Sequence, residues 1–472
     1  MRGFRRLALA GLFAAALVAP PVQAGATPPI LAESEPVATG ADYNGDGFTD
    51  VATGYPGETV GGHVGAGAVR VILGGGAGSF LITQNSRGID GTAEDGDHFG
   101  YAVATWYSPY DDYPNLVVSA PMEGAGSAVE SGEIWIIRGS ATGFEFDSTY
   151  TYTQDSAGVP GSVEAGDHFG WSLAGSAELA IGSPGEDVGA FADAGSVTVI
   201  GNERIAAFHQ DSANISGANE NGDRFGWSLS MIGYDLAVGS PYESVGSASG
   251  AGAVQLVTIR PPGTPNNAWP APATVNAIDQ GTPEVSGTPE AGDHFGWSVS
   301  LAQTGSSGLH SLAVGAPDEG IGTHARAGGL HAFHIDDLVG GYGEYLAVNQ
   351  GSAGVPGTVD TGDRFASSVT QVFTDGGPAI ITNTSAEAGD GEGHDMPALH
   401  VFHPSLGSSA VWLEAGSYGI PDGMPLFADH VSGTWTHLMV STSPVPVPYR
   451  VIGVPWGDIL AGGGEPIVEY VF

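Results

Sequence analysis

Gln154–Ser172 reads QDSAGVPGSVEAGDHFGWS, and this stretch decides the fold because the chain repeats it. Gln84–Ala102 (QNSRGIDGTAEDGDHFGYA), Gln210–Ser228 (QDSANISGANENGDRFGWS), Gln280–Ser298 (QGTPEVSGTPEAGDHFGWS) and Gln350–Ser368 (QGSAGVPGTVDTGDRFASS) are further copies. A worn copy runs from Glu414 to Ser432, with Phe427-Ala428 in place of Phe-Gly. Two more blocks lie between the copies. The first is an apolar run ending in a small-residue–Pro turn: VATGYPGE (51–58), LVVSAPME (116–123), LAIGSPGE (179–186), LAVGSPYE (236–243) and LAVGAPDE (312–319), with weaker forms at 380–387 and 438–445. The second alternates after glycine-rich sequence: GAVRVIL (67–73), GEIWIIR (132–138), GSVTVIG (195–201), GAVQLVT (252–258), GLHAFHI (329–335), ALHVFHP (398–404) and YRVIGVP (449–455).

Period-two alternation between glycine and proline punctuation reads as strands. Each unit supplies three clear strands, and a fourth is expected around the Gln segment. Four short strands recurring roughly every sixty residues mark a propeller blade. The expected fold is all-β, a seven-bladed β-propeller of four-stranded blades. The first unit lacks its Gln and Phe-Gly segment, and a strand-like IVEYVF (467–472) stands at the end. The two termini are therefore expected to share the closing blade.

The repeated side chains have structural readings. Asp97, Asp167, Asp223, Asp293 and Asp363 precede a strand, where a short carboxylate accepts turn N–H groups. The following phenylalanines suit wedges between blades, and the next glycine lets backbones approach closely. Tyr101, Trp171, Trp227 and Trp297 are expected to fill the adjoining core. His98, His168 and His294 share a slot with Arg224 and Arg364, which argues against a ring of histidine metal ligands.

Phe-Gly followed by a strand ending in Gly315-Ala316-Pro317 resembles the FG-GAP repeat of the integrin α-chain N-terminal propeller, of the type found in secreted bacterial proteins. The resemblance covers nearly all of the chain after its leader. It implies a seven-bladed propeller, calcium loops between the first two strands of some blades, and adhesive or ligand-binding roles. Related repeats also accompany a glycosylphosphatidylinositol-specific phospholipase.

Asp42-Tyr43-Asn44-Gly45-Asp46-Gly47-Phe48-Thr49-Asp50 matches D-x-[DN]-x-D-G-x-x-D. Calcium takes six to eight oxygens. Asp42, Asn44, Asp46, the Phe48 carbonyl and Asp50 are the candidate Ca2+ ligands. An EF-hand does not fit: Thr53 stands where its twelfth-position Glu belongs, and no flanking helix is expected. The counterpart in the second unit, Tyr107 to Asn115, keeps only Asp111 and Asn115, and the sixth offers Asp375 alone. One strong site is expected, structural in role. Glu58, Glu123, Glu186, Glu243, Glu319 and Glu387 follow the turn at one repeat position, a broken ring that either attracts cations or a basic partner or, the favoured reading, accepts N–H groups of each residue's own glycine-rich loop.

Arg2, Arg5 and Arg6 precede an apolar stretch from Leu7 to Ala19, and Val22 and Ala24 suit a cleavage site. The expected organisation is a signal peptide at 1–24, a short linker at 25–35 and the propeller at 36–472, in a secreted chain with no membrane insertion. There is no cysteine, so packing and metal, and no disulfide, are expected to stabilise the fold. With 52 acids against 12 basic residues, all arginine, the formal charge is −40. That field repels nucleic acid and favours cations. No G-x-S-x-G, H-E-x-x-H or Walker loop occurs, and thiol chemistry is excluded. A carboxylate pair for glycoside hydrolysis stays open among so many acids. Trp269 and Trp456, expected to be exposed, suit either sugar stacking or loop anchoring. Two functions remain: a monomeric binding or adhesion module for an extracellular protein or glycan, or a hydrolase or lyase with its site over the central channel.

Overall fold

The computed structural model describes residues 37–201, 204–259, 272–304, 309–336, 341–374, 376–384 and 398–413, together with 431–433, 437–441, 450–461 and 468–471. The leader and linker expected at 1–35 lie outside the described residues, as do Trp269, Asp375, Glu387 and Phe427.

Blade one is β1 (Val37–Ala41), β2 (Asp50–Tyr55), β3 (Ala68–Leu73) and β4 (Gly78–Ile82). Blade two is β5 (Val103–Trp106), β6 (Asn115–Ala120), β7 (Glu133–Ser140) and β8 (Gly143–Tyr152). Blade three is β9 (Ser172–Gly175), β10 (Leu179–Ser183), β11 (Ser196–Ile200) and β12 (Ile205–Phe208). Blade four is β13 (Ser228–Ile232), β14 (Asp235–Ser240), β15 (Ala253–Ile259) and β16 (Pro272–Ile278). Blade five is β17 (Ser298–Gln303), β18 (Leu309–Ala316), β19 (Gly329–Asp336) and β20 (Gly341–Val348). Blade six is β21 (Val369–Thr374), β22 (Gly377–Asn383), β23 (Leu399–Phe402) and β24 (Val411–Leu413). All pairs are antiparallel between sequence neighbours.

These six four-stranded blades correct the expectation of a seven-bladed propeller. One further four-stranded sheet is present, β25 (Val431–Gly433), β26 (His437–Ser441), β27 (Arg450–Pro455) and β28 (Val468–Val471). It differs from the six blades in its described residues. A helix, α1 (Trp456–Ala461), stands between its third and fourth strands, and the turn segment before its first strand lies outside the described residues. Counting apolar strand blocks in the sequence counts sheets, and does not show that each sheet is an equivalent blade. The shared closing blade is also corrected. All of β1–β4 come from the start of the chain and all of β25–β28 from its end. The ring closes by packing of β25 against β1 and β21. β1 supplies the inner strand that the missing Phe-Gly segment would otherwise introduce.

The repeat residues lock neighbouring blades. Phe99, fully buried, packs in one cluster with Val69 and Val71 of blade one and Val118 and Trp135 of blade two. Its ring lies 5.0 Å from Trp135. Gly67, at φ +85°, backs onto it so closely that a Cβ would stand 2.2 Å from the Phe99 carbonyl oxygen. A Cβ on Gly54 would meet the Gly100 oxygen at 1.9 Å, so both glycines are required by close backbone approach. The turn aspartates act as read: Asp97, Asp167, Asp223, Asp293 and Asp363 each accept a backbone N–H three residues earlier at 2.6 Å. Tyr101, Trp171, Trp227 and Trp297 form a cluster of their own, with successive rings 4.9, 4.9 and 5.5 Å apart.

Candidate functional site

The β1–β2 hairpin holds the predicted cation ligands. Gly45 (φ +71°) and Gly47 (φ +92°) give the loop its two left-handed bends. Asp42 accepts from the N–H groups of Asp46 (3.0 Å) and Gly47 (2.9 Å). Asn44 Oδ1 also accepts from Asp46 N–H at 3.0 Å, and Asn44 Nδ2 donates to Asp46 Oδ2 at 3.0 Å. Asp46 Oδ1 accepts from Phe48 N–H at 2.9 Å. Asp50, fully buried, accepts from Tyr43 N–H at 2.7 Å and Gly74 N–H at 2.8 Å. Burial pushes the Asp50 carboxyl up to about 6, and the charges of Asp42 and Asp46 add to the rise.

The loop is thus ordered, with four acid or amide side chains and the Phe48 carbonyl gathered in nine residues. All are hard oxygen donors, and by donor chemistry they fit Ca2+. Their oxygens are turned onto loop N–H groups, and no set of three acid, His or Cys side chains among the described residues is poised to hold a metal. The loop also bridges two blades. Tyr43 Oη lies 2.8 Å from Thr105 Oγ1 of β5, and the Tyr113 ring of blade two lies over Gly45.

In the blade-two hairpin, Asp111 instead pairs with Arg138 of β7, and Asn115 Nδ2 donates to Asp111 Oδ2 at 2.9 Å. Local spacing does not reveal this pair, because Arg138 approaches across the sheet, opposite Asn115.

The turn glutamates are also placed differently from expectation. Their backbone carbonyls close the glycine-rich loops, as in Gly67 N–H to Glu58 O and Gly132 N–H to Glu123 O. The side chains of Glu123, Glu186, Glu243 and Glu319 reach instead for a glutamine of the preceding blade. The slot shared by His and Arg is left-handed throughout, at φ +51 to +57°. Its side chains pair with neighbouring acids: Arg224 with Asp193, and both His294 (2.7 Å) and Arg364 (3.2 Å) with Asp318.

A cavity of about 630 Å3 opens between blades five and six. That is a size that suits a small ligand. Tyr345, Leu346, Phe373, Ile380 and Phe402 supply apolar walls, and His334 and His403 supply polar ones. His334 stacks on Tyr345 with ring centroids 4.3 Å apart. Burial lowers the pKa of both histidines, which favours neutral rings. Among the described residues, no acid or arginine lines it. Sequence reading missed this cavity, because its walls come from two blades that only the fold brings together. His403 Nδ1 lies 2.7 Å from Ser405 Oγ and its Nε2 3.0 Å from Thr374 Oγ1. Trp456 is not an exposed platform: it is 6% exposed and packs under the last sheet with Leu438 and Val454.

The fold is a β-propeller whose blades carry repeated turn segments. Residues 37–72, from β1 through most of β3, match the FG-GAP repeat family model. The chain is similar to phosphatidylinositol-glycan-specific phospholipase D of Mus musculus, at 33% identity over 109 residues, 23% of this chain and 13% of that protein. It is similar to the Homo sapiens protein of the same name at 30% identity over 230 residues, 43% of this chain and 26% of that one. The chain therefore spans about a quarter or less of these relatives' length. A solved prolyl endopeptidase structure matches with a TM-score of 0.43 and 10% identity, over 93% of this chain and 50% of that one. Among the described residues no helix is long and apolar enough to cross a membrane.

Proposed function

We propose that this chain is a secreted, calcium-stabilised propeller that binds an extracellular protein or glycan in the cavity between blades five and six. The observation that carries the reading is that cavity: a concave, aromatic surface whose described walls hold no acid or arginine, on a chain of formal charge −40. Neutral histidines and an exposed Tyr345 face suit an uncharged ring, whether a sugar or an aromatic side chain. The calcium loop lies elsewhere, at the seam of blades one and two, so its role in this reading is to hold that seam.

A glycan and matrix-protein array tests the binding site. The account expects specific binding that Tyr345→Ala and Phe373→Ala each weaken at least about tenfold while the melting temperature stays within a few degrees. Binding that ignores both substitutions would move the site off this cavity.

A hydrolase is the second reading, and the contact of Ser405, His403 and Thr374 at the cavity edge is what favours it. That pair also has a local explanation, since the His403 side chain accepts from the Ser405 N–H and caps a short helical turn. Turnover of esters or glycosides that Ser405→Ala and His403→Ala abolish would make the hydrolase the correct reading.

A further inference from the structure

Four blade seams repeat one arrangement of three side chains. Gln84, past the end of β4, donates from Nε2 to Glu123 Oε2 of blade two at 2.6 Å. Gln154 makes the same bond to Glu186, Gln210 to Glu243, and Gln280 to Glu319, the last at 2.6 Å. Each bond joins the exit of one blade to the second-strand turn of the next. The four glutamines are only 1 to 4% exposed, and the other end of each amide, Oε1, has no hydrogen-bond partner among the described residues. Beside each pair lies the turn aspartate, Asp97, Asp167, Asp223 or Asp293, 2 to 5% exposed.

Each seam therefore gathers two carboxyl groups and one amide acceptor that lacks a donor. An ionised carboxylate offers only acceptors, while a protonated one carries an O–H. Two carboxylates this close and this dry do not both ionise cheaply. One proton per seam removes a charge from the pair and adds an O–H donor to a place that lacks one.

We propose that each of these four seams holds one proton shared by its Asp–Glu pair across the glutamine amide, so that the blades are clamped in mild acid and loosen as the pairs ionise. The electrostatics agree. Burial first, with the neighbouring carboxyl adding, pushes Glu123, Glu186 and Glu243 up to about 7. Burial likewise pushes Asp167 and Asp223 up to about 6 and Asp293 to about 7, and it raises Asp97 and Glu319. The members of a pair titrate together, so the proton belongs to the seam.

Other charged groups face each seam. The first has Glu94, His63, Asp90 and Glu133, the second Glu164, Asp187 and His168. The third has Glu220 and Asp279, and the fourth Glu290, Asp318 and His331. Most are acids, so they strengthen proton retention. The sign follows from linkage: the folded pairs keep protons that the unfolded chain gives up above about pH 4.5, so stability is full below that point and falls as pH rises through about 7.

The test is thermal melting of the chain from about pH 5 to about pH 8 in chelator, with proton release on unfolding measured at about pH 6. The melting temperature should be highest at the acid end, and unfolding should release about four protons from the seams. The quadruple variant Glu123→Gln, Glu186→Gln, Glu243→Gln and Glu319→Gln should flatten the fall and lose that release. If it does not fold, the single variants E186Q and E243Q should each remove about one proton. An unchanged pH slope and proton release in the single variants overturn the proposal. So does calcium that restores the acid-side melting temperature at about pH 8 with one ion per seam, lost in the same variants, because the seams are then cation sites.

Discussion

The first two hairpins of the ring answer one electrostatic problem in two ways. Each begins its blade's second strand with a polar residue, Asp50 on β2 and Asn115 on β6, and each loop before it carries acid. In blade two the third strand puts Arg138 opposite Asn115, and its guanidinium meets Asp111. In blade one the third strand places Leu73 at that end, buried in the core, and the loop keeps Asp42, Asn44, Asp46 and Asp50. The difference teaches where a cation has to come from. Blade two carries its own on the neighbouring strand, and blade one presents the oxygens that would take one from solution.

The largest effect expected from breaking this contrast is at Asp50. Asp50→Ala removes a buried carboxylate that satisfies two N–H groups, and it should cost about 3–5 kcal/mol, read as a lower denaturant midpoint. A loss under about 1 kcal/mol would mean the hairpin does not depend on it. Blade six supplies a control remote from both hairpins. Burial lowers His400 to about 4, with its Nε2 on the Pro356 carbonyl. Its neutral form is what the fold holds, so its contribution is present above about pH 6.5 and lost as pH falls toward 4, at most about 3 kcal/mol. This runs opposite to the seams, and His400→Phe should flatten the acid side of the stability curve alone.

Arg138→Leu makes blade two resemble blade one. It leaves Asp111 half-paired in a partly buried site and should cost about 1–2 kcal/mol in calcium-free buffer. Unchanged stability would show that the ion pair is ornamental. The smallest effect belongs to Asp46→Asn. In chelator it should shift the midpoint by less than about 0.5 kcal/mol, since Asp46 is exposed and Asn keeps its oxygen acceptor.

Much of this was readable in the sequence. The apolar blocks fell on second and third strands, the turn aspartates took the N–H groups that their position suggests, and Phe99 wedges two blades. Those features are local or repeat at fixed spacing. What was missed depends on partners far apart in the chain. Arg138 reaches Asp111 across a sheet, and each seam glutamine finds its glutamate more than thirty residues on. The seams did leave a signal, since Gln and Glu recur together in each copy, but pairing them requires knowing which blade faces which. The cavity left none, because Tyr345 and Phe402 come from different blades and only the fold brings them together. The last sheet misled the count because strand blocks persist where the turn motif has decayed.

The contrast between the hairpins comes down to whether blade one takes a cation where blade two uses arginine. Scanning calorimetry of the chain and its Asp46→Asn variant, each with chelator and with millimolar calcium, tests it most directly. The account predicts that calcium raises the melting temperature of the native sequence by several degrees and leaves the variant unmoved. The same calcium response in both, or none in the native chain, would contradict it.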